Sequence, residues 1–335
     1  MKYLLAFLLP LTTWISFHCE NWVVFLPVIF GFVIVPITDQ MLGPDKTNFS
    51  AEKVERMKEH VAFDLMLYAA VLVHLFLIGY FLTQMKLVHE TGYVLVGHIL
   101  AMGMMCGVFG INVAHELGHR PDRFNQTLSK IMLATTGYIH FFIEHNKGHH
   151  RNVGTPEDAA TARKNESLYR FWLRSISGTY LSAWKIAAKE RQRKNQSWWL
   201  DEMLRLQMMQ WGIFLFIGLW YGWLIMIYMC LAAVFGIILL ETVNYIEHYG
   251  LERKKVSDFR YEDVHPMHSW NSDFVLGRIV LFELTRHSDH HTTPHKHYQV
   301  LNTTSDASEL PAGYPAMMML SMIPPLWFRV MNPRL

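Results

Sequence analysis

Long apolar runs restrict this chain more than any other feature. In lipid every backbone polar group has to be satisfied internally, so a span is a helix of about 20 mostly apolar residues. Six stretches meet or approach that length: 3–17, 22–38, 63–83, 93–113, 204–221 and 223–241. Composition agrees, with 51% of residues hydrophobic and 17% charged, against about 25% charged in an average soluble domain. With 30 basic and 28 acidic residues the chain lacks the charge of a nucleic-acid binder. Cys19, Cys106 and Cys230 stand far apart, which excludes a disulfide scaffold, a thiolate zinc site and a fused iron–thiolate carrier. The expected fold class is an all-α integral membrane protein with six transmembrane helices, forming a single domain over 1–335.

The first run is short and follows Lys2, as in a secretory signal peptide. However, no small-x-small cleavage site follows Phe17, and the next run resumes after His18-Cys19-Glu20-Asn21. The two read as a tight hairpin, as do the two runs that meet at Tyr221-Gly222. Lys and Arg test the count, because they accumulate on the cytoplasmic side. With the N-terminus inside, 29 of the 30 lie in inside segments or, for Arg205, at the inner end of a span, and only Lys86 lies outside. Both termini and the segments 114–203 and 242–335 are then cytoplasmic. The last apolar stretch, 311–330, is broken by Pro311, Pro315, Pro324 and Pro325, so it reads as an interfacial hairpin.

Nineteen histidines are the second unusual feature. Nine fall in four groups: His115-Glu-Leu-Gly-His119, Glu144-His145-Asn-Lys-Gly-His149-His150, Asn244-Tyr-Ile-Glu-His248-Tyr-Gly250 and Arg286-His287-Ser-Asp-His290-His291. Residues i and i+4 share one face of a helix. His115/His119, His145/His149 and His287/His291 are therefore expected to reach one ion or two neighbouring ones. His150 and His290 point about 100° from their neighbours and serve a second ion. The topology gathers all nine on the cytoplasmic side. One H-x-x-x-H alone arises by chance, but four groups at one membrane depth do not. The others read as bland: His74 and His98 as packing residues, His18 on the outer face, and His60, His89, His265, His295 and His297 on the surface.

Neutral imidazole suits zinc, copper, nickel and iron alike. Nine ligands exceed one ion and suit two with four or five each, leaving positions open for a small molecule. Two open redox ions beside a hydrocarbon phase point to dioxygen activation on a lipophilic substrate. Ferritin-like di-iron sites are carboxylate-rich, unlike this one. The alternative is a membrane-embedded zinc metalloprotease, since His115-Glu116-Leu117-Gly118-His119 is an H-E-x-x-H sequence. Even with one further histidine completing that site, this reading leaves six histidines without a role. Metal transport is weaker, because transport ligands belong near the bilayer midplane.

In order and spacing these four motifs resemble those of the membrane-bound alkane 1-monooxygenases. Thr155-Pro-Glu-Asp158 and His268-Ser-Trp-Asn271 match as well, and the similarity covers nearly the whole chain. The Asn244–Gly250 and His145–His150 boxes favour this branch over desaturases and xylene hydroxylases. The resemblance implies six transmembrane helices in a bacterial cytoplasmic membrane and a non-haem centre of two Fe held by the nine histidines. It implies hydroxylation of the terminal methyl of n-alkanes to 1-alkanols with O2. Electrons would come from a separate rubredoxin, itself reduced by a NAD(P)H-dependent reductase, because the cysteines here cannot build one. Residues expected to orient the histidines are Glu116, Glu144, Asp158, Glu247, Asp289 and His268, with Asp158 and His268 favoured because their surroundings match the family. The 29 inside Lys and Arg are available to steer an acidic carrier or to meet anionic membrane lipid. Gly31 either leaves room for a longer alkane or lets two helices pack closely.

Overall fold

In a computed structural model, residues 2–58, 60–88, 91–258 and 260–335 are described; His89 lies outside them. The chain is mostly helical and divides into two units, each built from three separate segments.

The first unit takes Met1–Ile34, Val61–Phe142 and Ala187–Leu240. Four helices are long and apolar enough to cross a bilayer: Trp22–Leu42, Ala62–Leu87, Gly92–Gly118 and Trp223–His248. Their outward positions are apolar and exposed, among them Leu65, Leu72 and Phe76 on one helix and Leu224, Ile227 and Leu231 on another. Two of the six expected runs fall outside this set. Lys2–Ser16 is apolar but shorter than those four, at roughly 22–26 Å against a core of about 30 Å. Glu202–Trp220 carries Arg205 and the buried Gln207 and Gln210. Gln210 accepts a hydrogen bond from the Ile139 N–H at 3.0 Å, so a polar side chain within the helix serves a turn that would otherwise lack a partner.

Helix ends follow their capping residues. The Asn21 side chain accepts the Val23 N–H, Asp122 the Asn125 N–H, and Asp201 the N–H groups of Met203 and Leu204. The expected turn after Tyr221 is made by Gly222 at φ +114°. Gly103 and Gly107 lie against Ala232 and Gly236, where a Cβ on Gly236 would meet the Gly107 nitrogen at 2.8 Å. This small-residue seam packs the helix that ends near His115 against the one that ends at His248. A Cβ on Gly31 would meet only the Met104 methyl, at 2.6 Å, so this glycine sits at a helix contact.

The second unit takes Val35–His60, Ile143–Ile186 and Glu241–Leu335. Its core is aromatic: Tyr245, Tyr249, Trp270, Tyr314 and Trp327 are fully buried, and the Trp270 indole N–H donates to the Tyr249 carbonyl at 2.9 Å. The all-α expectation needs correcting here, since two small sheets interrupt the helices. Lys255–Ser257 pairs antiparallel with Arg260–Tyr261, and Trp270–Asn271 pairs parallel with Ser308–Glu309. The second sheet is formed where Asn271 has to face the histidine segment. The proline-broken 311–330 stretch forms two short helices, Tyr314–Ser321 and Pro324–Met331, with Met322 and Ile323 exposed between them.

Candidate metal centre

His115 and His119 stand one turn apart at the end of Gly92–Gly118, with their Nε2 atoms 3.1 Å apart. Beside them Glu116 accepts from Arg120 at 2.9 Å, and Asp64 lies 3.4 Å from the same guanidinium. The carboxylate of the H-E-x-x-H sequence is thus engaged in a buried ion pair, a poor arrangement for a general base.

In the second unit the chain from Glu144 makes a π turn over His145–His149. In such a turn positions five apart, rather than four, lie over one another. Of the two arrangements expected, one ion or two neighbouring ones, the turn gives His145 and His149 the second. His145 meets His150, Nε2 to Nε2 at 3.0 Å, and His150 meets His290 at 3.1 Å. His149 turns the other way and joins His248, His287 and His291, whose ligand atoms all lie within 4.8 Å of one another. The short helix His287–Thr292 serves both groups: His287 and His291 face one, and His290, about 100° round, faces the other. A Cβ on Gly148 would press on the Glu144 carboxylate at 2.6 Å and on Ile186 at 3.0 Å, so both side chains sit where only a glycine leaves them undisturbed.

Four buried imidazoles facing one another fit a cation. His287 Nε2 lies 3.1 Å from that of His248 and 2.9 Å from that of His291. Neutral rings can share only one proton per contact. The His149 Nδ1–H donates to Asp158 at 2.8 Å, while the ring's Nε2 is buried with no hydrogen-bond partner among the described residues. Burial, and after it the neighbouring His287, His150, His149 and His248, hold His291 well below the ordinary imidazole range, so it is neutral and presents a lone pair. All-imidazole, dry and convergent donors suit a borderline transition metal.

Asp158 has a further role in this geometry. Burial alone would raise its pKa and lower that of His149. Their charge interaction and hydrogen bond outweigh burial, holding Asp158 below and His149 above their usual ranges. The carboxylate also accepts the Thr161 hydroxyl at 2.6 Å and the Ala160 N–H at 3.0 Å. It therefore fixes the His149 tautomer and makes that ring more basic, as carboxylates behind metal-binding histidines do. Burial and then the nearby Asp158 raise Glu144 to about 8; it is hydrogen-bonded to the Ser182 side chain.

The other expected orienting residues separate. Glu247 lies 3.3 Å from His287 Nε2. Asp289 instead accepts from Lys296 and from the Asn302 N–H at 2.7 Å, closing the turn after the histidine helix. The His268 ring is occupied locally, with Nδ1 accepting the His265 N–H and Nε2 lying 3.2 Å from Glu262. His74 and His98 are buried as expected, next to the Thr135 hydroxyl and the Ser16 carbonyl. Sequence reasoning assigned nothing to His140, which burial pushes down to about 3 and which lies edge-on to Tyr138. It also missed Thr161, three residues after Asp158, a spacing that fits a side-chain contact across a turn.

Comparison with known proteins adds an independent line. The sequence model of the fatty acid desaturase family matches residues 91–321. An alkane 1-monooxygenase of Ectopseudomonas oleovorans is 39% identical, covering 99% of this chain and 85% of its own. One from Pseudomonas putida is 36% identical over 97% and 82%. The hydroxylase component of a xylene/toluene monooxygenase from Pseudomonas putida is 27% identical over 69% and 62%.

Proposed function

The chain belongs to the alkane 1-monooxygenase family, and from that premise we propose that it hydroxylates the terminal methyl of n-alkanes to 1-alkanols with O2. The observation that carries the reading is the convergence of the four buried imidazoles of His149, His248, His287 and His291, with His149 backed by Asp158. We assign two irons to the nine histidines His115, His119, His145, His149, His150, His248, His287, His290 and His291, one of them to His149, His248, His287 and His291. When bound, the irons supply the redox chemistry that activates dioxygen.

The chain's own residues do the rest. Asp158 holds the His149 tautomer, and the surrounding apolar packing keeps water from the reacting carbon. Linear insertion of the alkane from the bilayer favours the terminal carbon despite its stronger C–H bond, because positioning outweighs intrinsic reactivity. Electrons come from a separate rubredoxin, reduced in turn by a NAD(P)H-dependent reductase. Six spans in a bacterial cytoplasmic membrane, with both termini inside, are the topology we propose; the asymmetry of Lys and Arg supports it. No observation favours the protease: its glutamate is tied to Arg120, and seven of the nine histidines would lie outside its motif.

The test is turnover of an n-alkane by the purified protein with rubredoxin, reductase, NADH and ¹⁸O2. Label in a primary alcohol, lost in His287→Ala, is the expected result. No alkanol under conditions where an authentic relative is active would overturn it.

A further inference from the structure

His287, His290 and His291 ride on a helix of only six residues, too short to be stable alone. Its first residue is preceded by Arg286, which has no place in the chemistry above. Arg286 is only 3% exposed and its guanidinium makes four hydrogen bonds. Nε lies 3.0 Å from the Asp273 carboxylate, one terminal nitrogen donates to the Leu301 carbonyl at 2.7 Å, and the other donates to the carbonyls of Asp45 and Thr47 at 3.2 Å. A second buried arginine, Arg278, donates to the same Asp45 carbonyl at 2.7 Å and lies 3.2 Å from Glu283. Between the two arginines the chain turns through Phe282 and Glu283 at φ 51° and 61°. Two successive non-glycine residues in that region persist only where their surroundings hold them. Asn271 completes the hold by accepting the Ser288 N–H at 2.8 Å.

We infer that Arg286 is a positioning residue for the metal centre: clamped between Asp273 and the carbonyls of 45, 47 and 301, it fixes the start and direction of the helix that carries three of the nine histidines. A lysine has one compact ammonium and cannot reach these four partners together, so Arg286→Lys should not substitute. The effect reaches both histidine groups, because His290 faces one and His287 and His291 the other.

The inference rests on the reading that these histidines hold metal, and the test separates the two. Full-length apoprotein in detergent is titrated with Co(II), following its visible ligand-field bands, for wild type, Arg286→Gln, Arg286→Lys and Asp273→Asn. Amide hydrogen exchange is measured on the same samples without metal. We expect Co(II) affinity to fall by about 10- to 100-fold in each variant, with faster exchange over 287–292 and none gained in the Leu168–Arg193 helix. Unchanged exchange over 287–292 in the variants would overturn the inference whatever the metal does. If wild type takes up no Co(II), the metal reading fails, while a local rise in exchange still supports Arg286 as the clamp. Should Arg286→Gln not fold, Asp273→Asn decides alone, since it leaves the three carbonyl contacts in place.

Discussion

Asp158 offers the sharpest perturbation of the centre, because it touches one histidine through one hydrogen bond. Asp158→Ala would leave three buried donors without partners: His149 Nδ1–H, the Thr161 hydroxyl and the Ala160 N–H. At about 1–3 kcal/mol each this comes to roughly 3–9 kcal/mol, comparable with the about 5–15 kcal/mol that holds a domain folded. Asp158→Asn is the cleaner change. It keeps the volume and one carbonyl, but that oxygen cannot serve both the Ala160 N–H and the His149–Thr161 pair. One charged hydrogen bond is lost, about 1.5–3 kcal/mol, which matches the about 10- to 100-fold drop in metal affinity typical of this kind of change. The assay is metal content and competitive Fe(II) or Co(II) titration of detergent-purified protein, with thermal unfolding as the check on folding. A folded Asp158→Asn protein with wild-type affinity at every site would refute the claim that this carboxylate tunes His149.

Three further outcomes follow from the packing and charge. Gly236→Ala should cost about 1–3 kcal/mol by overpacking, because its Cβ would meet the Gly107 backbone at 2.8 Å; Gly31→Ala should be nearly neutral, since only the Met104 methyl has to move, and paired thermal unfolding curves decide between them. Asp45 is held down to about 2 by the Thr47 hydroxyl and N–H and then by Arg278. Its folded value lies below the unfolded one, so its stabilisation is present above about pH 4 and fades as pH falls towards 2; Asp45→Asn should lower stability at pH 7 and flatten its pH dependence between about 4 and 2, which thermal unfolding at a series of pH values checks. Thr161→Val should weaken metal binding less than Asp158→Asn, because it removes one donor to the carboxylate and leaves the His149 contact; equal losses would contradict that ranking.

Much of this was legible in the sequence, for reasons of period and composition. The four long spans are uniform apolar runs, and the hairpin at Gly222 shows in its flanks. The nine histidines stood out because imidazole is rare enough for clusters to carry information. Their grouping was not legible. A π turn leaves no mark in a side-chain pattern, so the spacing left open whether His145 and His149 reach one ion or two, and His150 lies with His145. Asp39 looked like the first loop residue after an apolar run, yet it is fully buried and accepts the N–H groups of Leu276 and Gly277. Such partners lie more than 200 residues away, as do those of Arg286 in 45–47, and no local period encodes them. His268 was favoured for its sequence surroundings, whereas its ring serves its own turn; Glu247, ranked behind it, is the carboxylate that reaches His287.

The central claim is that nine histidines hold two irons, one of them on His149, His248, His287 and His291. It is tested most directly by counting metal in iron-loaded, detergent-purified protein, with His149→Ala, His248→Ala and His145→Ala in parallel. The account predicts two irons per wild-type chain, the same class of loss in His149→Ala and His248→Ala, and a spectroscopically different loss in His145→Ala. A single zinc per chain, unaffected by His248→Ala, would contradict it.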